Sequence, residues 1–198
     1  MATTTALRSA TPSAQFVVFG SLFLVVTASS LLDAGQLDAL AWQRGSIVDG
    51  QWWRLVTGHL VHSNSWHAAL NGAGIAVVAI GFATTLSART WLVIATASVL
   101  VIDVVLAARG WPDTYVGFSG VLHALFAAPL ATLAAARTTW AAVPLAALWL
   151  KVVGEAIFGG SAATAELIGV QVATAAHFTG VAVGCVGGFV AGKLQRRG

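Results

Sequence analysis

The stretch "TYVGFSGVLHALFAAPLATLAAA" runs from Thr114 to Ala136. From Val121 onward it is apolar except for His123, Thr132 and a proline, long enough to approach the ~20 residues a helix needs to cross a bilayer core. At its head Ser119 sits between Phe118 and Gly120, with Gly117 just before and His123 one helical turn later. Polar side chains at membrane depth are costly and tend to mark function. This segment therefore reads as a lipid-embedded helix that begins with a reactive-looking serine.

Working outward, five further stretches share its character: Gln15 to Leu32, Trp66 to Thr85, Thr90 to Ala108, Thr139 to Phe158 and Val170 to Gly192. The 198-residue chain is 58% hydrophobic and only 9% charged, with mean hydropathy +0.84, whereas soluble domains carry about 25% charged residues. The expected fold class is an all-α membrane protein, a bundle of six transmembrane helices forming one domain over residues 1–198. The first stretch follows Arg8 as a signal peptide would, but no clean small-x-small cleavage pattern appears near Thr27 to Ser30, and it reads as an uncleaved helix. Cys185, the single cysteine, excludes a disulfide framework and lies in too apolar a run to suggest a thiolate nucleophile.

Six spans place both termini on one side. That side collects Arg8, Arg89, Arg137, Lys193, Arg196 and Arg197. The other holds Arg44, Arg54 and Arg109 with Asp33, Asp38, Asp49, Asp113 and Glu166. The basic side is expected to be cytoplasmic. This sidedness accounts for the pI of 9.8, and with no basic stripe nucleic acid is not an expected partner. Trp42, Trp52, Trp53 and Trp66 suit the long external segment 33–65 to the membrane–water interface. The Gly-, Ala-, Ser- and Thr-rich segment Gly159 to Gly169 is expected to be mobile. No inverted repeat is visible, which weakens a transporter reading.

Helices two, four and six run in the same direction, and their polar residues fall near their starts: His67 and Asn71, Ser119 and His123, and His177. One shared centre is implied. If helix six starts near Val170, His177 lies about 10 Å down at 1.5 Å per residue. Ser119 must lie equally deep, so the segment Arg109 to Gly117 is expected to dip into the protein. "HFTGVAVGCVGGFVAG" (His177–Gly192) spaces Gly180, Gly184, Gly188 and Gly192 four apart, and helix four offers Gly120, Ala124, Ala127 and Ala131. Small-xxx-small faces allow close helix packing, which would bring Ser119 to His177. That pair has the logic of a nucleophile and its base. His67 and Asn71, with the Ser119 backbone N–H, could donate to the oxyanion, and Gly117 keeps the backbone open for substrate.

Other chemistries lack their residues. "HLVH" and "HSNSWH" contain no HExxH zinc motif, and Asp103 has no second carboxylate in an aspartyl-protease setting. Five histidines could still hold a metal or haem in a non-enzymatic membrane protein. Lys151 and Glu155, four apart, either pair with each other or face the cleft between helices two and five. His59 and His62 read as structural, Arg54 as a tie on the long loop, and Asp103 as a residue whose partner cannot be named.

Three motifs in order resemble the rhomboid intramembrane serine proteases over nearly the whole chain. "WWRLVTGHLVHSNSWHAALN" (Trp52–Asn71) carries the Trp53–Arg54 pair and His62, His67 and Asn71 at the family's spacing. "GFSG" matches its GxSG and "AHFTGVAVG" (Ala176–Gly184) its AHxxGxxxG. The resemblance implies Ser119 as nucleophile, His177 as base, Gly117, Gly120 and Gly180 as supports, and no metal or cofactor. Many rhomboids carry a tyrosine one turn after the serine, stacked on the catalytic histidine; here that position is His123. "YVGFSGVLHALF" and "WLKVVGE" look like the rhombosortase branch. That implies a bacterial inner-membrane enzyme whose site opens to the periplasm. Its substrates would be membrane-anchored proteins bearing a C-terminal Gly-Gly-type motif, a transmembrane helix and basic residues. A general rhomboid with other clients, or a non-catalytic client-binding relative, are the alternatives.

Overall fold

The structure, a computed structural model, describes residues 12–110 and 112–196. Arg8 and Arg197, used in the charge reading above, lie outside the described residues. In chain order the helices are α1 (Pro12–Ala28), α2 (Ala34–Leu40), α3 (Arg44–Val48), α4 (Arg54–Leu60), α5 (Ser65–Phe82), α6 (Ala88–Arg109), α7 (Ser119–Ala135), α8 (Ala142–Phe158), α9 (Ala162–Ile168) and α10 (Thr174–Gln195). Two short strands, β1 (Trp42–Gln43) and β2 (Thr114–Tyr115), form an antiparallel pair. Among the described residues, five helices are long and apolar enough to cross a membrane, and α7 is a shorter apolar helix. The chain is thus an all-α membrane bundle.

At 17 residues, α7 is about 25 Å long, less than the ~30 Å hydrocarbon core. It can afford this because it is the central helix, with every residue from Gly120 to Thr132 buried except His123 and Phe126, which are half-buried. Its tightest neighbour is α10. A Cβ on Gly180, Gly184 or Gly188 would strike the backbone of Gly120, Ala124 or Ala128, and Gly192 faces Thr132. The α7 side of the seam is therefore Gly120–Ala124–Ala128–Thr132, a strict four-residue stripe, and not the stripe through Ala127 and Ala131. Ala127 instead packs with Val152 of α8 and Val181 of α10. Thr132 Oγ1 donates to the Gly188 carbonyl at 2.9 Å, a polar tie across the seam.

The segment 33–65 is built from short helices and is not a plain loop. Asp33 and Gln36 form a reciprocal capping box at the start of α2. Arg54 donates to the carbonyls of Asp38 and Ala41, the tie expected of it. Trp52, Trp53 and Trp66 are exposed, as an interfacial role requires, but Trp42 is only 2% exposed. It packs against Gly58, where a Cβ would collide with Trp42, so it belongs to the core and not to the interface belt. The segment expected to be mobile contains α9, capped by Ser161. Asn64 Nδ2 and Ser63 Oγ donate to its Leu167 and Ile168 carbonyls at 3.0 and 2.6 Å.

Candidate active site

The dip before α7 is held from three directions. Thr114 and Tyr115 pair with Gln43 and Trp42, and the Gly117 N–H donates to the Gly58 carbonyl at 3.0 Å. The Phe118 N–H donates to His62 Nε2 at 3.3 Å. Gly117 has φ +118°, and an added Cβ would lie 2.6 Å from His67 Cε1; glycine is required on both counts. The chain then enters α7 with Ser119 as its first residue. Ser119 lines a cavity of about 290 Å³ with His67, Asn71, Tyr115, Leu122 and His177.

The seam brings Ser119 Oγ within 2.9 Å of His177 Nε2. His177 Nδ1 lies 2.8 Å from Glu155 Oε2, and since an ionised carboxylate only accepts, Nδ1 carries the hydrogen. Nε2 is left as a lone pair facing the serine. Lys151 Nζ donates to Glu155 Oε1 at 2.7 Å and to His123 Nε2 at 3.0 Å. The His123 Nδ1–H donates to the Ser119 carbonyl at 2.7 Å. The His123 and His177 rings stack, with centroids 4.1 Å apart and planes at 18°. The expected Lys151–Glu155 pair thus exists, and Glu155 also touches His177, a contact that sequence reasoning missed. Its only signal was the shared face of two charged residues on an otherwise apolar helix.

His67 and Asn71 line the same cavity as Ser119. Asn71 Nδ2 donates one hydrogen to the His67 carbonyl at 2.9 Å, which leaves its second N–H free to serve the cavity. His67 Nδ1 is 2.9 Å from Ser63 Oγ. While the Ser63 proton sits on the Ile168 carbonyl, Ser63 can only accept from His67 Nδ1, and a neutral His67 shows a bare Nε2. When that proton turns to Nδ1, Nε2 carries the hydrogen and becomes a donor.

The remaining histidines, His59 and His62, do not line this cavity. His62 bridges the dip to the end of the first helix: its Nδ1 is 2.9 Å from Ser29 Oγ, which donates to the Val26 carbonyl. Burial, helped by the charge of His67, pushes its pKa down to about 3, so it remains neutral and accepts from Phe118. His59 Nε2 lies 3.1 Å from Asp103 Oδ1, which supplies the partner missing for Asp103, and the His59 ring meets Tyr115 edge-on at 5.1 Å. Burial and the Asp103 charge raise the Tyr115 pKa, so the phenol stays protonated and donates to the Gly117 carbonyl at 2.7 Å.

His123, Glu155 and His177 place metal-ligand-type atoms within 4.8 Å of one another. The Lys151 ammonium already bonds two of the three, so a metal would have to displace it. No curated protein matches the chain. The family model described as the Rhomboid domain matches residues 49–194, which takes in the dip, the GxSG serine and the α10 histidine. The chain belongs to the rhomboid family of intramembrane serine proteases.

Proposed function

We propose that this chain is an active intramembrane serine endopeptidase in which Ser119 attacks and His177 serves as base and then acid. The observation carrying this reading is the 2.9 Å contact between Ser119 Oγ and a bare His177 Nε2 beside a cavity. In acylation the Oγ–H proton passes to Nε2 while Oγ bonds the scissile carbonyl carbon, whose π pair moves to oxygen. His67, Asn71 and the Ser119 backbone N–H, unpaired at a helix start, are the oxyanion donors. Collapse expels the amine, which takes the proton from Nε2. Water or another amine then resolves the acyl-enzyme.

Within the family, rhombosortase is the reading we favour. His123 stacks on His177 one turn after the serine, where many rhomboids carry tyrosine, and the Lys151–Glu155 pair of "WLKVVGE" lies against the same site. Its clients would be secreted proteins with a Gly-Gly-type tail, a membrane anchor and basic residues. These would enter laterally past α8, of which only Val152 is buried. Cytoplasmic termini, and a cavity open to the opposite side, follow from the basic side at Arg89, Arg137, Lys193 and Arg196; a bacterial inner membrane with the cavity toward the periplasm is what the rhombosortase reading implies.

A fluorophosphonate probe tests the chemistry: it should label the wild type and fail with Ser119→Ala and His177→Ala. Labelling that survives Ser119→Ala overturns the proposal. Loss with His123→Ala but retention with His177→Ala would assign the base to His123. Cleavage of a reporter with a Gly-Gly, apolar, basic tail, but not of one carrying an unrelated membrane anchor, would distinguish rhombosortase from a general rhomboid.

A further inference from the structure

Five hydrogen bonds form a closed ring that begins and ends on Ser119. They run from Ser119 Oγ to His177 Nε2 (2.9 Å), His177 Nδ1 to Glu155 Oε2 (2.8 Å) and Glu155 Oε1 to Lys151 Nζ (2.7 Å). The ring continues from Lys151 Nζ to His123 Nε2 (3.0 Å) and closes from His123 Nδ1 to the Ser119 carbonyl (2.7 Å). Each proton in it has one place to be. The Ser119 carbonyl can only accept, so His123 holds its hydrogen on Nδ1 and offers Nε2 as a lone pair, and the ammonium of Lys151 fills it. A second ammonium hydrogen fixes Glu155 Oε1, which leaves Oε2 to accept from His177. Nε2 of His177 is then left unprotonated, within hydrogen-bond reach of the serine hydroxyl.

From this ring we propose that Glu155 is a positioning residue that makes the reactive pair a Ser119–His177–Glu155 triad, and that Lys151, steadied by His123, holds Glu155 in register. The proposal rests on the reading of Ser119 and His177 as nucleophile and base. Glu155 selects the His177 tautomer and stabilises the imidazolium formed when Nε2 takes the serine proton; the Nδ1 hydrogen stays on the ring and the carboxylate stays ionised. A carboxylate with only 15% of its side chain exposed would be a costly lone charge in a membrane helix. Lys151, with 45% of its side chain exposed, neutralises it through the 2.7 Å ion pair. Lys151 also opposes the second positive charge on His177, so the two helix residues act on the imidazolium in opposite senses. The groups facing His177 are His67 from α5, Ser119 and His123 from α7, and Glu155 and Lys151 from α8. Asp103 of α6 is engaged by His59.

The test is the second-order labelling rate of the full chain in proteoliposomes with a fluorophosphonate, measured across pH for wild type, Glu155→Gln, Glu155→Asp, Lys151→Met and Ser119→Ala. Glu155→Gln should slow labelling by about 10²–10⁴-fold, as expected where the acid that orients the imidazole is neutralised, and should move the acid limb of the rate profile to lower pH. Glu155→Asp should restore part of the rate. Lys151→Met should move the limb to higher pH. Purely structural residues would leave the limb in place. If Glu155→Gln labels within about threefold of wild type with its limb unmoved, while Ser119→Ala is silent, the triad is overturned and the serine reading stands. Labelling of Ser119→Ala overturns the serine reading itself. If Glu155→Gln does not fold, an unmoved limb in Lys151→Met overturns the triad.

Discussion

Two histidine–carboxylate pairs of similar length sit in this molecule and lead to different ends. His177 and Glu155 meet at 2.8 Å, His59 and Asp103 at 3.1 Å. What separates them is the other nitrogen. His177 Nε2 faces Ser119 and a cavity. His59 Nδ1 and Asp103 Oδ2 are buried with no hydrogen-bond partner among the described residues, and the His59 ring stops against Tyr115. A histidine–carboxylate pair is therefore not a site by itself. It becomes one when the free nitrogen meets a nucleophile and a space for substrate.

The sharpest way to break this comparison is to disable each pair in turn and read labelling against stability. His177→Ala should abolish fluorophosphonate labelling with a melting temperature near wild type, a rate loss of order 10⁴-fold or more for removal of a triad base. Next in size, Gly117→Ala drives a Cβ into the His67 ring at a strained φ. It should slow labelling by about 10²–10³-fold, the scale of losing an oxyanion donor, while Ser119 and His177 remain in place. On the other pair, Asp103→Ala should lower stability by about 1–3 kcal/mol, the usual cost of leaving a buried donor such as the His59 ring N–H without its acceptor. The folded fraction should label within about threefold of wild type. If Asp103→Ala instead silences a folded protein, the two pairs are not distinct in kind.

A pH-dependent effect concerns the strut under the dip. The His62 pKa is depressed to about 3 in the fold against 6.5 unperturbed, so between those values the unfolded chain binds the extra proton. Stability should therefore fall as pH drops from about 6.5 toward 3. A His62→Gln protein, melted in detergent across that range, should show a shallower loss.

Much of this arrangement can be read from residues alone, because membrane helices advertise themselves by length and polarity. The six spans, the dip before Ser119, the glycine face of α10 and the meeting of Ser119 with His177 follow from apolar run lengths and four-residue spacing; the depth reading does not, because α10 starts at Thr174 and not near Val170, which makes His177 its fourth residue. The register of the seam did not: Ala127 and Ala128 are equally small, and only packing chose Ala128. Trp42 illustrates the same limit. A tryptophan in a half-polar external segment fits the interface by composition, yet its fate depended on Gly58 leaving room for it.

Glu155 is the clearest case of what tertiary structure decided. On α8 alone, Lys151 and Glu155 are an i,i+4 ion pair, complete in itself. Sequence establishes that two charges share a face of a membrane helix and must be neutralised. It does not say that the carboxylate's second oxygen reaches His177, because that contact depends on how α8 is rotated against α7 and α10. The sequence by itself determined a six-span bundle of the rhomboid type whose fourth and sixth helices carry Ser119 and His177 near their starts. Only the packing of the three helices decided that His123, Lys151 and Glu155 close a ring around that pair, since hydrogen bonds between helices are set by rotation and register, and neither is encoded within one helix.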